Sequence, residues 1–132
     1  MRILFVTPYP PSRIRVRGYG FFVQLQSEHE VTLVTQCSSE QELADAAALR
    51  KQGHEVVIVS GSKRQAALRS GLALFSSHPL QVAYARSQHL TQAVCNLLAL
   101  RSFDVVHVEH LRGIASVESL AQSYPLVWDA VD

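Results

Sequence analysis

ILFVTPYPPSRIRVRGYG, residues 3–20, decides the fold. The first four residues are apolar without alternation, which is how a strand covered on both faces reads. Pro8, Pro10 and Pro11 then end the strand, because proline lacks the N–H a sheet ladder needs. Gly18 and Gly20 follow where a helix is expected to open. Strand, proline-rich loop and helix make the first step of a β–α repeat.

The repeat continues along the chain. EVTLVT (30–35), EVVIVS (55–60), DVVHVE (104–109) and LVWDAV (126–131) are further Val- and Ile-rich runs. Helical patterns lie between them. Residues 18–28 place Phe21, Phe22 and Leu25 on one side of a helix. Ser39-Glu40-Gln41-Glu42 fits a capping box, and Gly53 is a natural C-terminal stop. Ser62-Lys63-Arg64-Gln65 has the same place ahead of a second helix. Leu90, Ala93, Val94, Leu97 and Leu98 hold helical spacing, as do Ile114, Val117, Leu120 and Ala121 in a shorter element. Strand and helix alternate throughout, so the class is α/β: a Rossmann-like, doubly wound parallel sheet in a three-layer α/β/α sandwich. The 132 residues fit one domain, 1–132.

Formal net charge is +1, so bulk charge selects no partner, and no nucleic-acid-binding motif appears. The distribution is uneven. Met1 to Ser27 holds four arginines and no acid, and Val56 to Phe103 holds only the bases Lys63, Arg64, Arg69, Arg86 and Arg101. Solvated helix faces account for this, and so does a surface that meets phosphate or an anionic membrane. Cys37 and Cys95 have no metal or redox spacing and read as reduced thiols of a cytoplasmic protein. No apolar run reaches the ~18 residues of a membrane span.

Chemistry is expected beyond the carboxyl ends of the strands, where open α/β sheets bind ligands. Arg13, Arg15 and Arg17 alternate after the first strand, so in an extended loop they point one way. Guanidinium forks suit phosphate or carboxylate, and a glycine-bearing helix start lets backbone N–H groups approach an anion. Neither GxGxxG nor GxxxxGK[ST] occurs. An anion cradle and a solvated loop both fit.

On the fourth run, His107 and Glu109 share one strand face, while His110 and Arg112 fall at its end. Glu109 with His110 forms a candidate acid–base pair. His107 reads as a hydrogen-bonded core histidine. Asp132, after the last run, is either an acid on the same rim or a helix N-cap. Asp129 needs a partner if it is buried. No metal set is indicated. The chain ends directly after a strand, which suggests that more protein followed.

MRILFVTPYPP, HEVTLVT, FDVVHVEHLRG and PLVWDAVD together resemble the N-terminal half of a GT-B glycosyltransferase, nearest to family 4 of the retaining enzymes. The resemblance spans the whole chain. It implies an acceptor-side domain whose partner is its own C-terminal donor-binding domain, with the E-x7-E element of that half missing here. It implies a nucleotide-sugar co-substrate, no metal or other cofactor, and a glycan or lipid-linked acceptor in cell-surface polysaccharide or glycolipid synthesis. It places the protein in the cytoplasm at the inner face of an anionic membrane. Gly18 and Gly20 would stand near the donor diphosphate, although Tyr19 separates them where the family has a glycine pair. His107-Val108-Glu109 stands where the family often has His-x-His, so Glu109 or His110 would approach the transferred sugar. The other reading is a non-catalytic Rossmann-like module that binds a phosphorylated small ligand or a protein partner.

Overall fold

The computed structural model describes residues 1–61 and 87–130. Five parallel strands form one sheet: β1 (Arg2–Thr7), β2 (Glu30–Cys37), β3 (Glu55–Ser60), β4 (Val105–Glu109) and β5 (Leu126–Asp129). Their spatial order is β3-β2-β1-β4-β5. The chain therefore winds outward from β1 one way, then crosses back to wind the other way from β4. The switch point lies between β1 and β4, where crevices form at the carboxyl rim.

Among the described residues, four helices cover the two faces: α1 (Val16–Glu28), α2 (Glu40–Lys51), α3 (Gln88–Leu100) and α4 (His110–Val117). Strand alternation divides the core between them. Ile3, Phe5, Val31 and Leu33 pack with Phe22 of α1 and with Ala46 and Leu49 of α2. Leu4, Val6, Val106 and Val108 pack with Leu90, Val94 and Leu98 of α3 and Val117 of α4. This is the Rossmann-like three-layer α/β/α arrangement that the unbroken apolar runs require. Ile3 to Thr7 is buried without interruption because both faces of β1 are roofed.

The signals expected at the two ends of α2 form. The Ser39 hydroxyl accepts from the Glu42 N–H at 3.2 Å. The Glu42 carboxylate reaches back to the Ser38 N–H at 2.7 Å, one residue earlier than a standard box. Gly53 has φ +89°. Its N–H bonds the Arg50 carbonyl and that of His54 bonds Leu49, the Schellman closure of α2.

Two boundaries differ from expectation. α1 begins at Val16 rather than near Gly18, so Arg17, Gly18 and Gly20 all lie inside it. α4 begins at His110, not near Ile114, and a 3-10 turn, Glu118–Leu120, extends it. The second capping box, Lys63, Arg64, Arg69, Arg86 and Asp132 lie outside the described residues. Arg101 is no part of a bare basic face: its guanidinium binds the Glu55 carboxylate and lies 3.6 Å from Glu30 at the amino ends of the strands. Among the described residues, no helix is long and apolar enough to cross a membrane.

Candidate functional site

After Thr7 the chain turns through Pro10 and Pro11, both buried, and a turn closed by the Arg15 N–H on the Ser12 carbonyl at 2.9 Å. This delivers α1 across the switch point. A cavity of about 210 Å³ opens there, lined by Tyr9, Pro11, Arg15, Val16, Arg17, Gly18, Glu109 and His110. A wider depression of about 600 Å³ lies around Met1, Arg2, Glu30 and Asp104. It sits at the amino ends of the strands, away from the rim where such sheets bind ligands.

The arginines do not point one way. Residues two apart on a helix diverge by roughly 200°. Arg15, at the N-cap position of α1, turns toward α2. Its guanidinium carbon stands 3.9 Å over the Tyr9 ring centroid, and it meets Glu42 at 3.3 Å. Arg17 turns toward β5 and forks onto Asp129, with both contacts at 3.1 Å. Arg13 is exposed and does not line the cavity. The aligned three-arginine cradle is thus corrected to two arginines that line the cavity and turn apart, Arg15 toward α2 and Arg17 toward β5. No side chain caps α1, so the first N–H groups of the helix have no side-chain acceptor, and Val16, Arg17 and Gly18 line the cavity.

Glu109 forms the floor and is 5% exposed. A Cβ built on Gly18 would lie 2.9 Å from its Oε2, so the absent side chain gives the carboxyl its room. Burial pushes its pKa up, Asp129 pushes it further, and Arg17 opposes both. Among the described residues, no hydrogen bond reaches this carboxyl.

His110 is the junction between β4 and α4, at φ +64°. That is left-handed backbone, which costs a non-glycine residue about 1–2 kcal/mol. The Tyr9 phenol hydrogen-bonds His110 Nε2, and the two ring centroids are 4.9 Å apart. Burial raises the Tyr9 pKa, with Arg15 opposing. Glu109 and His110 therefore do not pair with each other. They line one cavity from different directions, and the partner of His110 is Tyr9.

His107 belongs to the core. It stacks on Phe5 at 4.8 Å and 6°, and Phe21 stands 5.0 Å away. The hydrogen bond expected of a core histidine is missing at Nε2, which is buried without a partner among the described residues. Desolvation lowers its pKa, with Asp129 opposing. Arg112 is exposed in the first turn of α4 and does not line the cavity, and Gly20 faces open space. Tyr9 was missed, although a lone tyrosine among three prolines at a strand's carboxyl end marked it. Asp129 was flagged as needing a partner, and Arg17 is that partner.

No known family model matches the chain, and no curated protein matches it. Among solved structures it matches a predicted subunit of a tRNA methyltransferase from Methanocaldococcus jannaschii. The TM-score is 0.49 at 8% identity, over 99% of this chain and 68% of that one. So remote a likeness says nothing of activity. The resemblance to a family 4 glycosyltransferase domain does not hold. No glycosyltransferase model or relative matches. The nucleotide-sugar, the acceptor and the donor-binding half lose their support with it. The Rossmann-like fold stands on the sheet itself.

Proposed function

We propose that the domain is a binding module for a small anionic ligand, one bearing phosphate or carboxylate, seated in the cavity between β1 and β4. The observation that supports this most is the make-up of the pocket lining. Arg15, Arg17 and the uncapped first turn of α1 all line the same 210 Å³. Helix N-termini and arginine forks both favour anions.

Both arginines already hold carboxylates, and magnitude decides whether that matters. The Arg17 side chain is 67% exposed and Asp129 26%; for Arg15 and Glu42 the values are 37% and 18%. Pairs this wet are worth about 0–1 kcal/mol. A phosphate offering charge-assisted bonds to an arginine and to backbone N–H groups outweighs that loss. The test is calorimetric titration with inorganic phosphate, pyrophosphate and a set of small phosphorylated and carboxylated metabolites. Saturable binding to the wild type, weakened at least tenfold in Arg17→Ala, is expected. No saturable binding by any of these compounds refutes the reading.

A further inference from the structure

We infer that the pocket is catalytic as well as binding: Glu109 and the Tyr9–His110 pair form an acid–base site that shifts protons within a small phosphorylated or carboxylated hydroxy-carbonyl compound. This inference rests on the anion-binding reading above and adds an activity to it.

Three observations converge. Glu109 is 5% exposed and lines the cavity, and no hydrogen bond from the described residues reaches its carboxyl. A carboxyl so placed adds little to stability and is free to face a ligand. Among the described residues, His110 is the one non-glycine residue in left-handed backbone, and that geometry places its ring against the Tyr9 phenol. Strain of this kind persists where surrounding contacts hold it and clusters at working sites. Tyr9, Glu109 and His110 line one cavity, which Arg15 and Arg17 line too.

Size narrows the reaction. The cavity of about 210 Å³ corresponds to roughly seven waters' worth of liquid. That is below the ~300–1,000 Å³ of sites for larger ligands. It suits one compound of triose or tetrose size. A rearrangement within one molecule fits best.

The step balances without a co-reactant. The Glu109 carboxylate takes the proton from the carbon beside the carbonyl, and the C–H electron pair becomes the enediol double bond. Tyr9 donates its O–H to the carbonyl oxygen as charge develops there. In the tautomer where His110 Nε2–H donates to the phenol oxygen, the phenol proton is free to point into the cavity. Glu109 returns its proton to the neighbouring carbon, and the Tyr9–His110 pair carries the hydroxyl proton between the two oxygens. Burial suits Glu109 to this, because a base poised nearer neutrality serves both transfers.

The test is proton NMR in D2O with the full chain, using dihydroxyacetone phosphate, glyceraldehyde 3-phosphate and erythrose 4-phosphate, alongside calorimetric binding of the same compounds. The expected result is deuterium entering the carbon beside the carbonyl of at least one compound faster than in buffer. Glu109→Gln should lower that rate by roughly 10²–10⁴-fold while binding persists. Tyr9→Phe and His110→Asn should lower it too; asparagine tolerates the left-handed backbone, so the ring is lost without the fold. Binding without exchange in every compound overturns this inference and leaves the binding reading standing. Absence of both binding and exchange overturns this inference, and it overturns the binding reading too once phosphate, pyrophosphate and the wider metabolite set also fail to bind. Exchange that survives Glu109→Gln unchanged overturns the assignment of the base.

Discussion

Gly18 and Gly20 sit two residues apart in the same helix, and the structure assigns them opposite responses to the same substitution. Gly20→Ala adds a methyl into open space. It removes backbone freedom from the unfolded chain and should stabilise the fold by about 0.5–1 kcal/mol. Gly18→Ala gains the same term. Its Cβ, however, meets the Glu109 carboxyl at 2.9 Å from Oε2, 3.4 Å from Oε1 and 3.5 Å from Cδ. The carboxyl ends a flexible side chain beside the cavity, so it can swing aside, but only by leaving the position it holds there. That puts the cost toward the low end of overpacking, about 1 kcal/mol. The two variants should therefore differ by about that amount, with Gly18→Ala the weaker. Urea unfolding measures it: at a slope of about 1–3 kcal/mol/M, the midpoints should separate by up to roughly 1 M. Equal stabilisation of both variants would mean that Gly18 does not shape the pocket, and the geometry around Glu109 would be wrong.

The folded state holds the Glu109 proton above the ordinary 4.5. Stability from it is full below that pH and falls as pH rises through the raised value. Glu109→Gln should therefore be more stable than the wild type at pH 7, with the gain vanishing below pH 4.5; a gain that stays flat across this range refutes the assignment. His107 has the opposite sign, since its pKa is depressed from 6.5. Stability from neutral His107 is present above that value and is lost as pH falls through the depressed one, so His107→Phe should abolish that part of the acid loss in a pH series of melting curves. Thr35 Oγ1 is buried without a partner among the described residues, so Thr35→Val should stabilise by about 1 kcal/mol; a comparable loss in urea unfolding would show the hydroxyl to be satisfied. The Cys37 thiol is pushed up to about 11 by burial first, then by Glu42 and Asp45. Alkylation at pH 8 should label the half-buried Cys95 well ahead of Cys37, and equal rates would contradict the packing.

The architecture was legible because its signals are local. Runs such as EVVIVS lack a polar alternation, and only a sheet roofed on both sides accommodates that. Ser39 and Gly53 bracket α2 through hydrogen bonds within a few residues of each other. The site was legible in part. Glu109 and His110 were found through their place at a strand's carboxyl end, which topology alone dictates. The arginines were misread because Arg15-Val16-Arg17 carries two compatible periods. Alternation suggested an extended loop, while arginine is also a good helix former. Tertiary contact settles the choice: Glu42 on α2 and Asp129 on β5 draw the two side chains apart. Neither partner is near in sequence, so no window around residue 15 could have shown it.

The sheet register explains why the pocket lies where it does. Thr35 pairs with Thr7, and Glu109 pairs with Asp129. Val6 pairs with Val108, so Thr7 stands alongside Glu109 one position further on. One layer across four strands therefore reads Thr35, Thr7, Glu109, Asp129 beneath the first turn of α1. The layer below it, two residues back on each strand, reads Leu33, Phe5, His107, Val127. The apolar core stops one layer short of the rim. Valine in place of either threonine would bury as well in a sheet, and among the described residues neither hydroxyl has a partner. Within those residues the polar layer works against stability at the level where the strands present their ends to a ligand. Local conflicts of this kind are expected at functional sites, in line with the binding proposed for this cavity.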